Sequence, residues 1–159
     1  MKIAYIDSQN IKLWIRELWR EIDWRKLFDY LKFRYNMDII KIFMWYKSSK
    51  QERYDDLLKI WYMVVFKKTH ERNGKIKWNA DSMIMLHWVV DAIEWKVKNA
   101  YLISWDWDFD VLIDFWKEKW IFEKIFIPNH NKISKLLIDS TDVKSRIFCH
   151  TIENKIKKS

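Results

Sequence analysis

Short apolar runs alternate with segments of helical periodicity along most of this 159-residue chain. Between residues 24 and 35, for example, apolar side chains recur every three or four positions, as in a helix with one buried face. Because strands separated by helices pair in parallel through βαβ crossovers, the pattern predicts a three-layer α/β/α domain with a mostly parallel central sheet of about five strands. The predicted strands are residues 3–6, 39–44, 62–66, 100–103 and 121–127, with an edge strand at 146–149. The predicted helices are residues 11–18, 24–35, 51–60, 80–93, 109–118 and 133–138.

Length and charge indicate one domain with a polyanionic partner. We expect residues 1–150 to form a single domain and residues 151–159 a basic tail that frays beyond Glu153. The 30 Lys and Arg against 22 Asp and Glu give a net charge of +8, which favours nucleic acid as the partner. The alternative is that the many lysines only keep the surface well solvated. Between residues 67 and 77, around a predicted Asn73-Gly74 turn, five basic residues stand against one acidic residue, a net charge of +4. The five are Lys67, Lys68, Arg72, Lys75 and Lys77.

The cysteine content and the N-terminal residues indicate the cellular compartment in which the protein is expected. Cys149 is the sole cysteine, which excludes an internal disulfide framework and a cysteine-based zinc site. No apolar stretch approaches the roughly 18 residues of a membrane span, and the first residues form a predicted strand rather than a signal peptide. We therefore expect a cytoplasmic protein.

Two carboxylates follow the predicted strand 100–103, within the sequence SWDWDF of residues 104–109. In open α/β sheets, ligands bind at the carboxyl ends of the strands. Asp106 and Asp108 would repel each other there, and a divalent cation between them would remove the repulsion. One of them could instead cap the next helix, but two exceed what a cap requires, so metal binding is the preferred interpretation. Ser104 is either an ordinary turn residue or a hydroxyl that reaches the metal site or a phosphate.

Further carboxylates occupy comparable places. Asp7 ends the first predicted strand, so it either caps the next helix or binds a metal ion with Asn10 as its orienting partner. Asp81 lies in the first turn of the helix 80–93, where the helix dipole alone would also favour an acid. Asp91 lies about 15 Å further along that helix, so we interpret it as structural or supporting and not as a ligand of the same metal.

Tryptophan is unusually frequent in this chain, with 12 residues against one glycine. Average glycine usage would give roughly eleven. Several tryptophans stand where glycine is expected, although Trp meets neither a positive φ nor a close backbone approach. We hypothesise that many of these tryptophans are glycines in the natural protein, because UGA encodes Gly in some bacterial lineages and Trp in others. UGG codons at these positions would exclude the hypothesis. The alternative is a protein with an aromatic-rich surface. The positions are Trp14, Trp45, Trp61, Trp78, Trp105, Trp107 and Trp120.

Three short motifs resemble those of the NYN domain, a branch of the PIN-like nucleases. They are IDSQN at residues 6–10, KWNAD at 77–81 and SWDWDF at 104–109, and their order and spacing agree with the family over residues 2–139. The family has glycine at four of the tryptophan positions, 78, 105, 107 and 120. The resemblance implies a PIN-like (Rossmann-like) sheet with acidic residues gathered at the carboxyl ends of its strands. The motif acids are Asp7, Asp81, Asp106 and Asp108, and the polar motif residues are Asn10 and Ser104.

From this resemblance we expect a metal-dependent endoribonuclease that hydrolyses RNA phosphodiester bonds with Mg²⁺ or Mn²⁺. The four motif acids would be both the catalytic residues and the metal ligands. The phosphate-binding residues would be Asn10, Lys77, Ser104, Lys75 and Arg72. Two alternatives stay open, a non-catalytic module that binds RNA or protein and a phosphohydrolase of small esters. The RNA target, the number of metal ions and the formation of a homodimer are not fixed by the sequence.

Overall fold

The computed structural model describes residues 1–18, 20–67, 69–72, 75–78, 80–94 and 97–158, and for residues 67, 69–72, 75–78, 80, 81, 107 and 130 it describes the backbone alone. The strands are β1 (Lys2–Asp7), β2 (Ile39–Trp45), β3 (Met63–Lys67), β4 (Thr69–Arg72), β5 (Lys75–Trp78), β6 (Asn99–Ile103), β7 (Phe122–Ile127) and β8 (Arg146–Phe148). The helices are α1 (Ser8–Glu17), α2 (Trp24–Tyr35), α3 (Gln51–Lys59), α4 (Ala80–Glu94), α5 (Asp110–Glu118), α6 (Lys135–Asp139) and α7 (Glu153–Ile156). None of the helices in these ranges is long and apolar enough to cross a bilayer.

Six strands form one parallel sheet in the order β3-β2-β1-β6-β7-β8. The chain builds outward from β1 through β2 to β3, and it then crosses to the other side of β1 to add the remaining three strands. Doubly wound folds have this order, and their ligands bind at the carboxyl ends of the two central strands, where the direction of winding reverses. Here that crevice lies between β1 and β6. The predicted α/β class is confirmed, and the sixth strand is the expected edge strand.

The central strand β1 separates two core layers. Ala4 and Ile6 belong to the layer that contains residues of α1 and α2, whereas Ile3 and Tyr5 belong to the layer that contains residues of α4 and α5. Successive side chains of a strand point to opposite faces, so a strand covered on both sides is apolar throughout its length. After Lys2 at its amino end, the next charged side chain of β1 is therefore Asp7, at the carboxyl edge of the sheet.

A buried ion pair between Lys41 and Asp91 connects α4 to the sheet. Lys41 of β2 donates to both carboxylate oxygens of Asp91 at 2.8 and 2.6 Å, and the Tyr5 hydroxyl donates to Asp91 at 2.7 Å. Burial, followed by the charge of Asp91, raises the pKa of Tyr5 far above its ordinary value, so the phenol remains a neutral donor. Asp91 thus joins one helix to two strands, which agrees with its interpretation as structural.

Two helices end in a left-handed residue that is a tryptophan. Trp61 follows α3 with a φ of 78°, and Trp120 follows α5 with a φ of 58°. At the first, the N–H of Trp61 bonds to Leu58 O and the N–H of Tyr62 to Leu57 O, and the same pair of bonds closes α5. This is the Schellman motif, whose left-handed position is normally glycine because a Cβ is unfavourable there. Both indoles are almost fully exposed, at 82% and 91%, so packing does little to offset the cost.

We expect Trp61→Gly and Trp120→Gly each to raise the free energy of unfolding by about 1 kcal/mol or more, because a left-handed residue with a Cβ costs about 1–2 kcal/mol. Urea denaturation measures the change. The matched control is Asn36→Gly, since Asn36 is also left-handed, with a φ of 55°, and Asn tolerates this conformation. If all three variants gain equally little, the two tryptophans are not strained.

Two other tryptophans occupy crowded positions in the core. Trp88 and Trp116 are fully buried and stack with ring centroids 3.4 Å apart. Neither indole N–H donates to an acceptor among the described residues, and a buried donor without a partner costs about 1–3 kcal/mol. Trp14 by contrast is buried within α1, and Trp45 is the last residue of β2. The positive φ of Trp61 and Trp120 thus supports the hypothesis that glycine stands at these two positions in the natural protein. The codons remain its test.

The C-terminal residues pack on the domain instead of fraying. Ile156 in α7 is fully buried, and its carbonyl accepts from the N–H of Asp23 at 2.8 Å. A β-bridge joins Ile22 to Lys157, and the N–H of Lys158 donates to Glu21 O at 2.9 Å. The basic composition of this segment gave no sign of this, because the apolar partners lie more than a hundred residues away in sequence.

Candidate active site at the carboxyl edge of the sheet

The two central strands bring Asp7 and Ser104 side by side. Ile6 pairs with Ile103 in parallel register, so Asp7, the last residue of β1, and Ser104, which follows β6, lie next to each other at the crevice. Adjacent strands lie about 4.8 Å apart. Both side chains are buried, Asp7 at 4% exposure and Ser104 at 0%. The sequence motifs around residues 7 and 104 therefore lie together at one edge of the sheet, as expected from their positions at strand ends.

Asn10 links the two strand ends. Its side-chain amide donates to Asp7 Oδ2 at 3.1 Å and to Ser104 Oγ at 2.7 Å. Asp7 Oδ1 accepts from the N–H of Gln9 at 3.0 Å and so caps α1, which begins at Ser8 and not at residue 11 as predicted. The capping interpretation of Asp7 is confirmed, and its second oxygen has Asn10 as the expected orienting partner; metal binding by Asp7 stays a prediction. Asn10 fixes the direction in which the Asp7 carboxylate points.

The turn after β6 is held by bonds within itself. Ser104 Oγ accepts from the N–H of Asp106 at 3.1 Å, and Asp106 Oδ1 accepts from the N–H of Asp108 at 3.3 Å. The N–H of Ser104 donates to Phe126 O of β7 at 3.1 Å, and the buried Phe109 anchors the other end of the turn in the core. Neither carboxylate caps α5, whose cap residue is Phe109 without a side-chain bond. The only capping bond that either carboxylate makes among the described residues is therefore the one that Asp106 Oδ1 accepts from the N–H of Asp108.

Negative charge accumulates at this turn. Desolvation, followed by the charges of Asp106 and Asp110, raises the pKa of the Asp108 carboxyl above its ordinary value. No described residue donates a hydrogen bond to Asp106 Oδ2 or to either carboxylate oxygen of Asp108. Crowded carboxylates with free oxygens are the donor set that a hard divalent cation prefers.

The carboxylate set fits a metal ion in its chemistry. Within the described part of the chain, no three His, Cys, Asp or Glu side chains come together as a ready-made metal site, so Asp7, Asp106 and Asp108 do not form one by themselves. Asp81 would be the remaining ligand: its backbone lies in the first turn of α4, and its side chain is outside the described residues. Asp7, Asp106 and Asp108 belong to the edge at which ligands of doubly wound sheets bind.

The predicted basic segment forms a separate hairpin. β4 and β5 pair in antiparallel register, with Arg72 opposite Lys75. Their side chains and that of Lys77 lie outside the description, as does the predicted Asn73-Gly74 turn. Phosphate binding by Arg72, Lys75 and Lys77 therefore remains a prediction.

Trp105 lies within the carboxylate turn and packs against both core layers. The ammonium of Lys132 lies 5.9 Å from its ring centroid, a cation–π contact, and the same ammonium pairs with Glu17. Trp105 is therefore held between the core and a charged lysine side chain.

Sequence reasoning missed a group of basic residues beside Asp7. They line a groove between α1 and α3, which we call the α1–α3 groove. A signal was available, since Ser8, Lys12 and Arg16 recur every four residues and so share one face of α1. The groove is lined by Ser8, Lys12, Arg16, Lys47, Lys50 and Arg53, among other residues.

Comparison with known proteins agrees with this architecture. The family model described as the NYN domain matches residues 2–147, nearly the whole chain. A solved structure of a protein of unknown function from Vibrio parahaemolyticus is similar to this chain with a TM-score of 0.77 and 21% sequence identity, over 99% of this chain and 96% of the other. At that identity the likeness shows the fold alone. A search of curated proteins found no match.

Proposed function

This chain belongs to the NYN domain family, a family of PIN-like nucleases, and from that premise we propose that it is a metal-dependent endoribonuclease that hydrolyses RNA phosphodiester bonds. The observation that carries the proposal is the position of the family's acidic motifs. Asp7 lies at the carboxyl end of β1, and Asp106 and Asp108 lie in the turn after β6, on the two sides of the ligand-binding crevice.

We assign the cation to Asp7, Asp81, Asp106 and Asp108, with Mg²⁺ or Mn²⁺ as the ion because carboxylate oxygens suit both. When bound, such an ion would supply Lewis acidity toward the phosphate and lower the pKa of a bound water. Asn10 holds the Asp7 carboxylate by a 3.1 Å hydrogen bond. The bonds among Ser104, Asp106 and Asp108 hold the backbone of the turn and one oxygen of the Asp106 carboxylate. Such support orders part of the proposed site before substrate arrives.

The two alternatives are less well supported. A module that only binds RNA would be weakened by four acids at its ligand edge, since they repel phosphate. A small-ester phosphohydrolase with an aspartyl nucleophile would need a paired-Asp motif after the first strand, and the sequence there is Asp7-Ser8-Gln9. A cytoplasmic location and a homodimer remain predictions.

The test compares substrates and metals with the purified chain. We expect cleavage of single-stranded RNA in Mg²⁺ or Mn²⁺, loss of cleavage in EDTA, recovery when the metal is restored, and no turnover of a chromogenic phosphate ester. Electrophoresis of end-labelled RNA separates internal cleavage from trimming of the ends. Turnover of the ester without RNA cleavage would favour the phosphohydrolase, and RNA binding without cleavage under any metal would favour the binding module.

A further inference from the structure

The α1–α3 groove opens directly beside the candidate site. It encloses about 400 Å³ between α1, the carboxyl end of β2 and the start of α3. Ser8, which follows Asp7 in the chain, contributes to its wall, so the groove and the carboxylates adjoin at the same edge of the sheet. Lys12 and Arg16 lie about 6 and 12 Å further along the helix axis at 1.5 Å per residue.

The groove is strongly positive. Five of its lining residues are Lys or Arg, and no acidic residue lines it among those that the structure describes. Arg16, Lys47, Lys50 and Arg53 form no ion pair with any described residue. Lys12 lies 5.7 Å from the ring centroid of Trp24. Four cations in one concave surface that have no ion-pair partner among the described residues favour a polyanionic ligand.

Two acids that interact with cations of the groove are paired with lysines outside it. Glu17, next to Arg16, pairs with Lys132, and Glu21 pairs with Lys158. These lysines, followed by the weaker effects of Arg16 and Arg53, lower the pKa values of Glu17 and Glu21 respectively. The lysines therefore offset much of the negative charge that would otherwise oppose the groove.

An exposed aromatic ring lies next to the groove. Tyr46 is 51% exposed, and its ring centroid is 5.6 Å from that of Tyr54 and 5.3 Å from that of Phe66. Tyr54, which lines the groove, is itself fixed: its hydroxyl donates to Trp45 O at 2.9 Å and accepts from the N–H of Lys47 at 2.8 Å. Tyr46 thus offers a supported ring on which a nucleobase can stack.

We propose that the α1–α3 groove binds the sugar-phosphate backbone of a single RNA strand on one side of the bond to be cleaved, with a base of that strand stacked on Tyr46. This inference rests on the proposed nuclease function, since it takes the carboxylates as the place of cleavage. A single strand is specified because stacking on Tyr46 needs an unpaired base face, which a duplex hides. The groove would be a second phosphate-binding surface, in addition to the one predicted on β4 and β5.

The first experiment removes charge from the groove. Lys47→Ala combined with Lys50→Ala keeps the fold, because both side chains are exposed and the bonds they make within the segment come from their backbone. The matched control is Lys98→Ala combined with Lys119→Ala, which removes the same charge just before β6 and β7, at the opposite edge of the sheet. Binding of a labelled oligouridylate of about 12 nucleotides is measured in EDTA by fluorescence anisotropy across a salt series.

We expect the groove variant to bind more weakly. The magnitude of the slope of log K against log salt should fall by about 0.7 to 1.4, since each lost phosphate contact removes about 0.7 for a single strand and two lysines are replaced. The control should change the slope little. Tyr46→Ala should weaken binding at least about fivefold with the slope unchanged, because stacking releases no counterions. A groove variant indistinguishable from its control, or tighter binding of duplex than of single-stranded RNA, would overturn the proposal.

Failure of the groove and failure of the nuclease function give different results. If the groove variants lose binding in EDTA but the chain never cleaves RNA with any metal, the groove is an RNA site and the nuclease assignment is wrong. If the chain cleaves RNA and the groove variants cleave with an unchanged KM, the groove proposal is wrong and the nuclease assignment stands.

Discussion

Asp106→Asn is expected to lower the rate of metal-dependent RNA cleavage by roughly a hundredfold or more while the protein stays folded. Loss of residues that merely orient metal ligands typically costs 10–100-fold, so loss of a ligand should cost at least the upper end of that range. The fold should survive because the Asn side-chain oxygen can still accept the 3.3 Å bond from the N–H of Asp108. Single-turnover cleavage and thermal unfolding of the same preparation measure the two effects.

The matched control is Asp114→Asn, on the exposed face of α5 one turn beyond the site, which should keep full activity. A second readout follows from the electrostatics of the turn. The charge of Asp106 contributes to the raised pKa of Asp108, so Asp106→Asn should lower that pKa toward its ordinary value, as followed by NMR titration without metal. Full cleavage by Asp106→Asn would falsify the metal-ligand assignment, whatever happens to the pKa.

Asp91→Asn is expected to lower the free energy of unfolding by about 3–5 kcal/mol. The substitution leaves the Lys41 ammonium buried without its counter-charge, which is the costly way to break a buried pair. The Lys41 and Asp91 side chains are only 7% and 4% exposed, so water does little to replace the lost charge. With ordinary stabilities of about 5–15 kcal/mol, this single change removes a large share of the margin.

Urea denaturation gives the value, and two further variants interpret it. Asp56→Asn breaks the Lys59–Asp56 pair, whose side chains are 74% and 60% exposed, and should cost no more than about 1 kcal/mol. Combining Lys41→Met with Asp91→Asn should recover much of the loss, because no charge then remains buried. If Asp91→Asn costs no more than Asp56→Asn, the buried pair does not fasten α4 to the sheet.

The local elements could be predicted from the sequence because their causes are local. Apolar spacing predicted α2 at residues 24–35, and the short apolar runs predicted the six strands of the parallel sheet to within a residue or two, whereas β4 and β5 were not predicted. The end of a buried strand is also visible in sequence, as the point where polar residues begin. That rule placed Asp7 and the 104–108 turn at the ligand edge, and the scarcity of glycine drew attention to Trp61 and Trp120, both of which have a positive φ.

Only the tertiary structure decided which of these elements are neighbours. Periodicity tells which face of an element is buried, but it carries no information about what covers that face. The bond from Asn10 to Ser104, the Lys41–Asp91 pair, the α1–α3 groove and the packing of Ile156 all join residues far apart in sequence. The bond from Asn10 to Ser104, for example, exists because β6 pairs with β1 on the side opposite β2. Such pairings depend on the summed packing of both layers, which no single segment of the sequence determines.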